Sequence, residues 1–292
     1  MKLQRLTLIF ITILFTACIF TTGCPSRHNN VPAKKKAFIT IKGSDTLELT
    51  LNSLAKEFTK RNPSVEISIE GGGTTTGIEG LLNKTTDIAA ASRPINDKEL
   101  KFADDNSIEI KEHPLARDAA IIIINPENTI KALSLNDIEK IFTGTVTTWE
   151  ETGGSKLPLT IYNNPPDSGT YNFFKEDVLK RNNFTDIAKT MEKPSDIIRA
   201  VVMDQGGISY TGYQYYVIAS DMVRAIAIKS KNNSMPVMPS RENIIKGLYP
   251  LSRTLYLYST GDTSQEVIDF ISFCTGTEGQ AIINKNEAIP YQ

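Results

Sequence analysis

The sequence predicts an α/β fold whose strands are divided between two largely parallel sheets, each flanked by helices. Apolar runs typical of strands alternate with helix-like segments over nearly the whole chain after residue 37, which is the pattern of βα units. About ten strands in a single sheet would be uncommon, so two sheets are favoured over one. Length agrees with this division, because about 260 residues are large for one core and comfortable for two.

The first set of elements extends from residue 38 to residue 112. Leu47, Leu51, Leu54 and Phe58 recur at helical spacing and predict the first helix. The pattern predicts strands over 38–42, 65–70, 87–91 and 108–112, and helices over 46–61, 77–83 and 96–104.

The second set begins at 119–124, where four consecutive isoleucines predict a strand buried on both faces. Thr263 with Glu266 forms a capping box that opens a helix near the end of the chain. The remaining predictions are strands over 157–162, 223–229 and 254–258, and helices over 134–142, 171–180, 195–203 and around 280–284.

The N-terminus has the features of an export signal. Lys2 and Arg5 precede an apolar run over 6–20, as in a signal peptide. This run is shorter than the roughly 20 apolar residues that a spanning helix needs. The segment then ends in Thr-Thr-Gly-Cys at Cys24, which resembles a bacterial lipobox and implies cleavage after residue 23 with acylation of the Cys24 thiol. Cys18 is the alternative acylation site.

Residues 24–36 are polar and basic, with two prolines and three consecutive lysines. We expect them to form a flexible tether. The predicted protein is therefore exported, in the periplasm or at the cell surface, and lipid-anchored to a membrane; a soluble secreted protein is the alternative. If Cys18 is removed and Cys24 is acylated, Cys274 alone remains, and no disulfide can form.

Charge and composition argue against nucleic-acid binding. Removing residues 1–23 changes 32 basic and 33 acidic residues to 30 and 33, a net charge of −3. The lysines are scattered, and no basic patch is interleaved with aromatic residues.

Catalysis is also disfavoured. His28 lies in the tether, so His113 is the one histidine of the predicted folded body. Ser168 lies in Asp-Ser-Gly-Thr and not in a Gly-x-Ser-x-Gly elbow. The sequence has neither a Cys/His cluster with metal-ligand spacing nor a Gly-x-x-x-x-Gly-Lys phosphate loop. We therefore expect no enzyme, no cofactor and no metal.

Four turns rich in glycine and hydroxyl groups lie where predicted strands lead into helices. They comprise residues 43–46, 71–77, 92–93 and 167–170. In parallel α/β sheets, ligands bind at the carboxyl ends of the strands. Free backbone N–H groups of a helix start favour an anion there. Hydroxyl groups add neutral donors, so the four turns together predict an oxyanion site with few formal positive charges.

Each turn alone has a purely structural interpretation. Asp45 and Glu48 have capping-box spacing, Ser168 could simply start a helix, and Arg93 could pair with a surface carboxylate. The functional interpretation depends on four such turns in one chain.

From about residue 38 to its C-terminus, the chain resembles the substrate-binding proteins of bacterial phosphate ABC transporters, the PstS family. Besides the four turns, the resemblance includes Arg117-Asp118-Ala119 to Asn125-Pro126, Ile141-Phe142-Thr143-Gly144 with Trp149 and Gly153-Gly154, Gly207-Ile208-Ser209-Tyr210, Glu242-Asn243-Ile244, Tyr249-Pro250-Leu251-Ser252-Arg253 and Glu278-Gly279-Gln280.

The resemblance implies a type II periplasmic-binding-protein fold, with two α/β lobes, two hinge crossovers and phosphate held between the lobes. We place 37–115 with 252–292 in lobe I and 116–251 in lobe II, with hinges near 113–118 and 249–254. The implied phosphate-binding residues are Ser44, Asp45, Thr46, Thr74, Thr75, Ser92, Arg93, Ser168, Gly169 and Thr170.

Two departures from the family pattern bear on this site. Family members commonly carry an arginine at the position of Asn164, and the best-known ones carry a proton-accepting aspartate at the position of Ser92. A buried carboxylate repels a fully deprotonated oxyanion but accepts a hydrogen bond from P–OH, and so excludes sulfate. We hypothesise that Asp45 accepts this proton and that Arg93 replaces the missing arginine.

The resemblance implies capture of inorganic phosphate and delivery to ABC permease subunits by a monomer. Alternatives are a binder of another oxyanion such as sulfate or molybdate, a secreted phosphatase or hydrolase that uses Ser168, and a surface sensor or adhesin.

Overall fold

The computed structural model describes residues 36–291, so the predicted signal peptide, tether and acylated Cys24 lie outside the described residues. Twelve strands are present in this part of the chain. They are β1 (Ala37–Gly43), β2 (Val65–Gly72), β3 (Ile88–Ala91), β4 (Ile110–Ile124), β5 (Ala132–Ser134), β6 (Thr160–Asn163), β7 (Lys189–Thr190), β8 (Gly207–Gly212), β9 (Arg224–Ala225), β10 (Ala227–Lys229), β11 (Ser252–Thr260) and β12 (Ile289–Pro290).

Helices cover the sheet. They are α1 (Glu48–Arg61), α2 (Gly73–Leu82), α3 (Asp97–Asp105), α4 (Leu135–Phe142), α5 (Gly169–Phe173), α6 (Pro194–Val202), α7 (Tyr213–Ile218), α8 (Arg241–Ile245), α9 (Gln265–Thr275) and α10 (Thr277–Lys285). Helix α5 continues as a π-helical turn over Phe174–Val178. Across residues 36–291, no helix combines the length and the apolar character needed to cross a bilayer.

Ten strands form one continuous sheet with the path β2-β1-β3-β11-β4-β8-β6-β7, to which β9 and β12 add by pairing with β4. Strands β1, β2 and β3 are parallel, as are β6, β7 and β8. The central pairs β3–β11, β11–β4 and β4–β8 are antiparallel. The two predicted sheets are therefore joined in one. Strand β11 pairs with β3 and with β4, and β4 pairs on its other side with β8.

Strand β4 corrects one sequence prediction. The separate strands predicted over 108–112 and 119–124 are parts of a single strand of 15 residues. Pro114 lies opposite Tyr256, where the register with β11 shifts between Leu255 and Tyr256. Proline cannot donate to the ladder and is tolerated at such irregularities, so the strand continues through it.

Buried apolar side chains form two main clusters. The first core comes from residues 39–116 and 255–288. The second core comes from residues 119–251 together with Ile289, and includes the fully buried Trp149. We call the parts of the chain that build these cores the first half and the second half. Strand β4 runs from one half to the other, and β11 begins where the second half ends and continues into the first.

Candidate functional site

The four predicted turns are found at the carboxyl ends of strands, as expected. Strands β1, β2 and β3 end at Gly43, Gly72 and Ala91. Because these strands are parallel, their following turns emerge at one edge of the sheet. The fourth turn follows β6 in the second half and starts α5 at Ser168.

The first turn depends on a close approach of backbones. Gly43 has φ +135°, and a Cβ atom there would lie 2.1 Å from the carbonyl oxygen of Ala90, so only glycine fits. The N–H of Ser44 donates to that same carbonyl at 2.9 Å. Ser44 and Thr46 are both buried. The Thr46 hydroxyl lies 3.1 Å from the hydroxyl of Thr170, across from the first half to the second.

Thr74 and Ser92 belong to two turns of the first half and meet in the interior. Their hydroxyl oxygens are 3.3 Å apart, and the Ser92 N–H donates to Thr74 Oγ1 at 3.0 Å. Neither side chain is exposed to solvent. These bonds fix the orientation of both hydroxyls.

The fourth turn packs directly on this pair. A Cβ atom at Gly169 would lie 2.1 Å from Thr74 Oγ1 and 2.4 Å from Ser92 Oγ. The Ser168 hydroxyl caps the helix start by accepting from the Thr170 N–H at 3.2 Å. We call Thr46, Thr74, Ser92 and Thr170, with the backbone of Gly169, the hydroxyl cluster. It brings together side chains from all four turns and from both halves.

Arg93 is held by a carboxylate within the first half. Its Nη2 donates to Glu99 Oε1 at 2.7 Å and its Nη1 to Glu99 Oε2 at 2.9 Å. Nη2 also contacts Thr75 Oγ1 at 3.3 Å, and Nη1 the carbonyl of Pro94 at 2.9 Å. The pair is almost completely buried. The positive charge of Arg93 is thus neutralised by Glu99. Its contact with the turn that carries Thr74 is the hydrogen bond to Thr75.

Asp45 lies at the margin of the cluster. Its Oδ1 accepts a long bond from the Gly72 N–H at 3.4 Å, and its backbone carbonyl accepts from the Tyr215 hydroxyl at 3.1 Å. Burial first, and then the carboxylates of Glu48 and Asp45, raise the pKa of Tyr215, so this phenol stays a donor. The Asp45 carboxylate also lines a cleft of about 220 Å³ with Asp167, Glu192 and Lys193 among its walls.

Sequence reasoning missed a second buried ion pair next to the cluster. Arg253 and Asp118 face each other as register partners on β11 and β4, and their side chains are only 3% and 4% exposed. Arg253 Nε donates to Asp118 Oδ2 at 2.8 Å, and its Nη2 donates to the Thr170 hydroxyl at 2.9 Å. The other oxygen, Asp118 Oδ1, accepts from the Tyr213 N–H at 2.7 Å.

A signal for this pair was present in the sequence. Asp118 directly precedes the buried run that ends in four isoleucines, and Arg253 precedes the alternating strand residues Leu255 and Leu257. Charges beside buried strands need partners, but nothing in the sequence shows that these two are adjacent.

Asn164 occupies the position where the family commonly has arginine. The side chain is buried, and its amide donates to the carbonyl of Tyr210 on β8 at 3.2 Å. It therefore contributes to the packing of the second half and brings no charge to the site.

Comparisons with known proteins agree with this geometry. A model of the PBP superfamily domain matches residues 28–278. The phosphate-binding protein PstS of Staphylococcus haemolyticus is 31% identical over 248 residues, which cover 82% of this chain and 77% of that protein. The protein SphX of Synechococcus elongatus is 30% identical over 255 residues, 84% of this chain and 75% of that one. The chain belongs to the PstS family of the PBP superfamily.

Solved structures place the fold in the same family. A Clostridium perfringens substrate-binding protein assigned to a phosphate ABC transporter, crystallised with bound phosphate, superimposes with a TM-score of 0.79 at 26% identity. The match covers 87% of this chain and all of that one. The predicted type II periplasmic-binding-protein fold is therefore confirmed. Its PstS relatives are named as binding proteins, in agreement with the prediction that this chain is not an enzyme.

Proposed function

We propose that this PstS-family protein captures inorganic phosphate at the hydroxyl cluster and delivers it to an ABC permease. The observation that carries the proposal is the contact between Thr46 and Thr170, which joins turns of the two halves through hydroxyl groups at 3.1 Å. A tetrahedral anion bound there would be contacted from both halves. The names of the relatives, which include PstS and a phosphate-bound structure, support phosphate as that anion.

The proposed ligand-binding set keeps all of the predicted residues, with different tasks. Ser44, Thr46, Thr74, Ser92 and Thr170 supply hydroxyl or backbone donors from buried positions. The remaining members are Asp45, Thr75, Arg93, Ser168 and Gly169, which shape the turns around them. A site rich in neutral donors can bind a dianion without burying many positive charges.

Binding and release would follow from motion of the two halves. We assign 37–115 and 252–292 to lobe I and 116–251 to lobe II; the two buried cores support this division, with Ala116 and Ile289 as the exceptions. The hinges then lie in β4 near residues 113–118 and around the start of β11 near residues 249–254. Phosphate would stabilise the closed form because only that form makes contacts from both lobes. The closed surface is what the permease would recognise.

Export and anchoring complete the proposal. We propose an extracytoplasmic location, a signal peptide over 1–23, acylation of Cys24 and a monomeric protein held at the membrane by its tether. Mass spectrometry of the mature N-terminus tests the anchor: a diacylglyceryl-modified Cys24 is expected, and an unmodified N-terminus elsewhere would overturn this part.

Titration calorimetry tests the binding function directly. We expect phosphate to bind and sulfate or molybdate to compete poorly. Tighter binding of either competitor would assign the site to another oxyanion. Turnover of a chromogenic phosphate ester that is abolished by Ser168→Ala would instead support the hydrolase alternative.

The role of Asp45 is tested by the same assay. If its carboxylate accepts a proton from phosphate, Asp45→Asn should reduce the preference for phosphate over sulfate, since the amide no longer repels sulfate. An unchanged preference would remove Asp45 from this role.

A further inference from the structure

Arg253 differs from Arg93 because one of its terminal nitrogens has no partner in the described part of the chain. Both Nε and Nη2 contact the same carboxylate oxygen, Asp118 Oδ2, at 2.8 and 2.7 Å. Nη2 also reaches Thr170 Oγ1 at 2.9 Å. Nη1 is buried and has no hydrogen-bond partner within residues 36–291. A buried guanidinium N–H left unpaired is costly, so this nitrogen is suited to an additional acceptor.

The charges around the cluster favour the same residue. Arg93 is taken by both oxygens of Glu99 in a two-bond pair, which leaves little of its charge for a ligand. Asp118, by contrast, gives only one oxygen to Arg253 and uses the other to accept the Tyr213 N–H. The guanidinium of Arg253 is thus oriented by a carboxylate and remains able to bind a second anion.

Its surroundings also hold Arg253 in place. The guanidinium carbon lies 5.4 Å from the ring centroid of Phe173, within range of a cation–π contact. Thr170, to which it donates, is itself 3.1 Å from Thr46. Contacts therefore connect Arg253 on β11, through Thr170 of the second half, to the Thr46 hydroxyl of the first half.

We propose that Arg253, oriented by Asp118, is the cation of the oxyanion site and takes the place of the arginine that the family carries where this chain has Asn164. This inference rests on the proposed phosphate-binding function. Because Arg253 lies on a strand shared by both halves, its bond to the ligand also ties anion binding to the hinge. Family members with an arginine before Ser-Gly-Thr would hold that charge on one lobe, whereas this chain would hold it at the start of β11, in the proposed hinge between the lobes.

The test compares phosphate affinities by titration calorimetry of the folded protein. Arg253→Gln should weaken binding by about 10- to 150-fold, the worth of one hydrogen bond to a charged group. Arg253→Lys keeps the charge without the planar fork and should recover part of that loss. Arg61→Gln is the control, since Arg61 lies at the end of α1, outside both proposed hinges, with a 63% exposed side chain that pairs with Glu278; its affinity should stay within about twofold of wild type.

A double variant guards against misfolding. Arg253→Gln alone leaves Asp118 buried without its partner, which can prevent folding. Arg253→Gln with Asp118→Asn removes both charges and keeps polar, hydrogen-bonding side chains at both positions, and it should show the same affinity loss. If the wild type binds phosphate and the double variant binds it equally well, the proposed role of Arg253 is wrong while the proposed function stands. A parent that binds no phosphate would overturn the proposed function, and this inference with it.

A companion measurement separates Arg253 from Arg93. Arg93→Gln should weaken phosphate binding less than Arg253→Gln does, among variants that fold, because Glu99 already pairs with both terminal nitrogens of Arg93. A larger loss at Arg93 than at Arg253 would transfer the cation role to Arg93.

Discussion

Replacing Gly169 by alanine should separate phosphate binding from folding. The added Cβ would lie 2.1 Å from Thr74 Oγ1 and 2.4 Å from Ser92 Oγ. Neither hydroxyl can turn away freely, because Ser92 donates its N–H to Thr74 Oγ1 at 3.0 Å. Ordinary contact begins near 3.4 Å, so the second half must withdraw by about 1.3 Å, which is enough to break a hydrogen bond across the cluster.

The size of the effect follows from that displacement. Losing one hydrogen bond to a charged ligand costs about 1.5–3 kcal/mol, so phosphate affinity should fall by about 10- to 150-fold. Gly169 begins the five-residue helix α5, and alanine is a better helix former than glycine. Stability without ligand should therefore be maintained even though phosphate binding is weakened.

Titration calorimetry and urea unfolding of the same preparations check both parts. The matched control is Gly80→Ala in α2, where the nearest neighbour of the new Cβ is a methyl group of Thr86 at 3.2 Å. This control should bind phosphate like the wild type. Gly169→Ala with an affinity within about twofold of wild type would refute the view that the halves meet at this glycine, since a displacement of this size cannot leave the charged hydrogen bonds intact.

Three further predictions concern stability. Glu99→Gln should destabilise by about 3–5 kcal/mol in urea unfolding, because it leaves Arg93 buried without a counter-charge; a cost below about 1 kcal/mol would contradict this. Trp149→Phe should cost about 1–3 kcal/mol, since the indole N–H bond to the Gly206 carbonyl at 3.1 Å is lost from a fully buried site, and unchanged unfolding would refute it. Burial first, then a nearby lysine, lower the pKa of His113 below its usual 6.5; the unfolded chain therefore takes up this proton at higher pH than the folded one. The free energy of unfolding should therefore fall as pH drops from about 6.5 through the folded pKa. Urea unfolding at about pH 8 and about pH 5 measures this difference, which His113→Gln should reduce. An unchanged difference would exclude His113 as its source.

Local chemistry made the four turns predictable. Ser44, Thr74, Ser92 and Ser168 each follow a strand, and hydroxyl residues recur at this junction more often than isolated helix capping requires. The helices were found for a related reason, since apolar residues such as Leu47 repeat at helical spacing over several turns.

The elements that sequence reasoning missed lack a local pattern. Strand β8 consists of Gly207–Gly212, where small and polar residues interrupt any apolar run, yet all six residues are buried. The predicted strand over 223–229 divides at Ile226 into β9 and β10, which belong to different sheets. These outcomes are decided by neighbouring strands, which periodicity does not report.

Long-range pairing explains the missed part of the site. Asp118 and Arg253 are 135 positions apart, and each looks like an isolated charge at the edge of an apolar segment. Only the antiparallel register of β4 and β11 makes them partners. Arg93 was easier to notice because it lies within a predicted turn, although its nearby partner Glu99 neutralises it.

The position of β11 also determines the order in which the protein can fold. This strand lies between β3 and β4 in the sheet, although residues 92–251 separate it from β3 in the chain. The second core is built mainly from one contiguous segment, whereas the first core needs residues 255–288. During synthesis from the N-terminus, most of the second half can fold before residues 252–260 are made. Until then, β3 lacks the partner strand β11 on one of its edges. Such non-local closure is slow, so the first half stays incomplete until synthesis of the chain is almost finished.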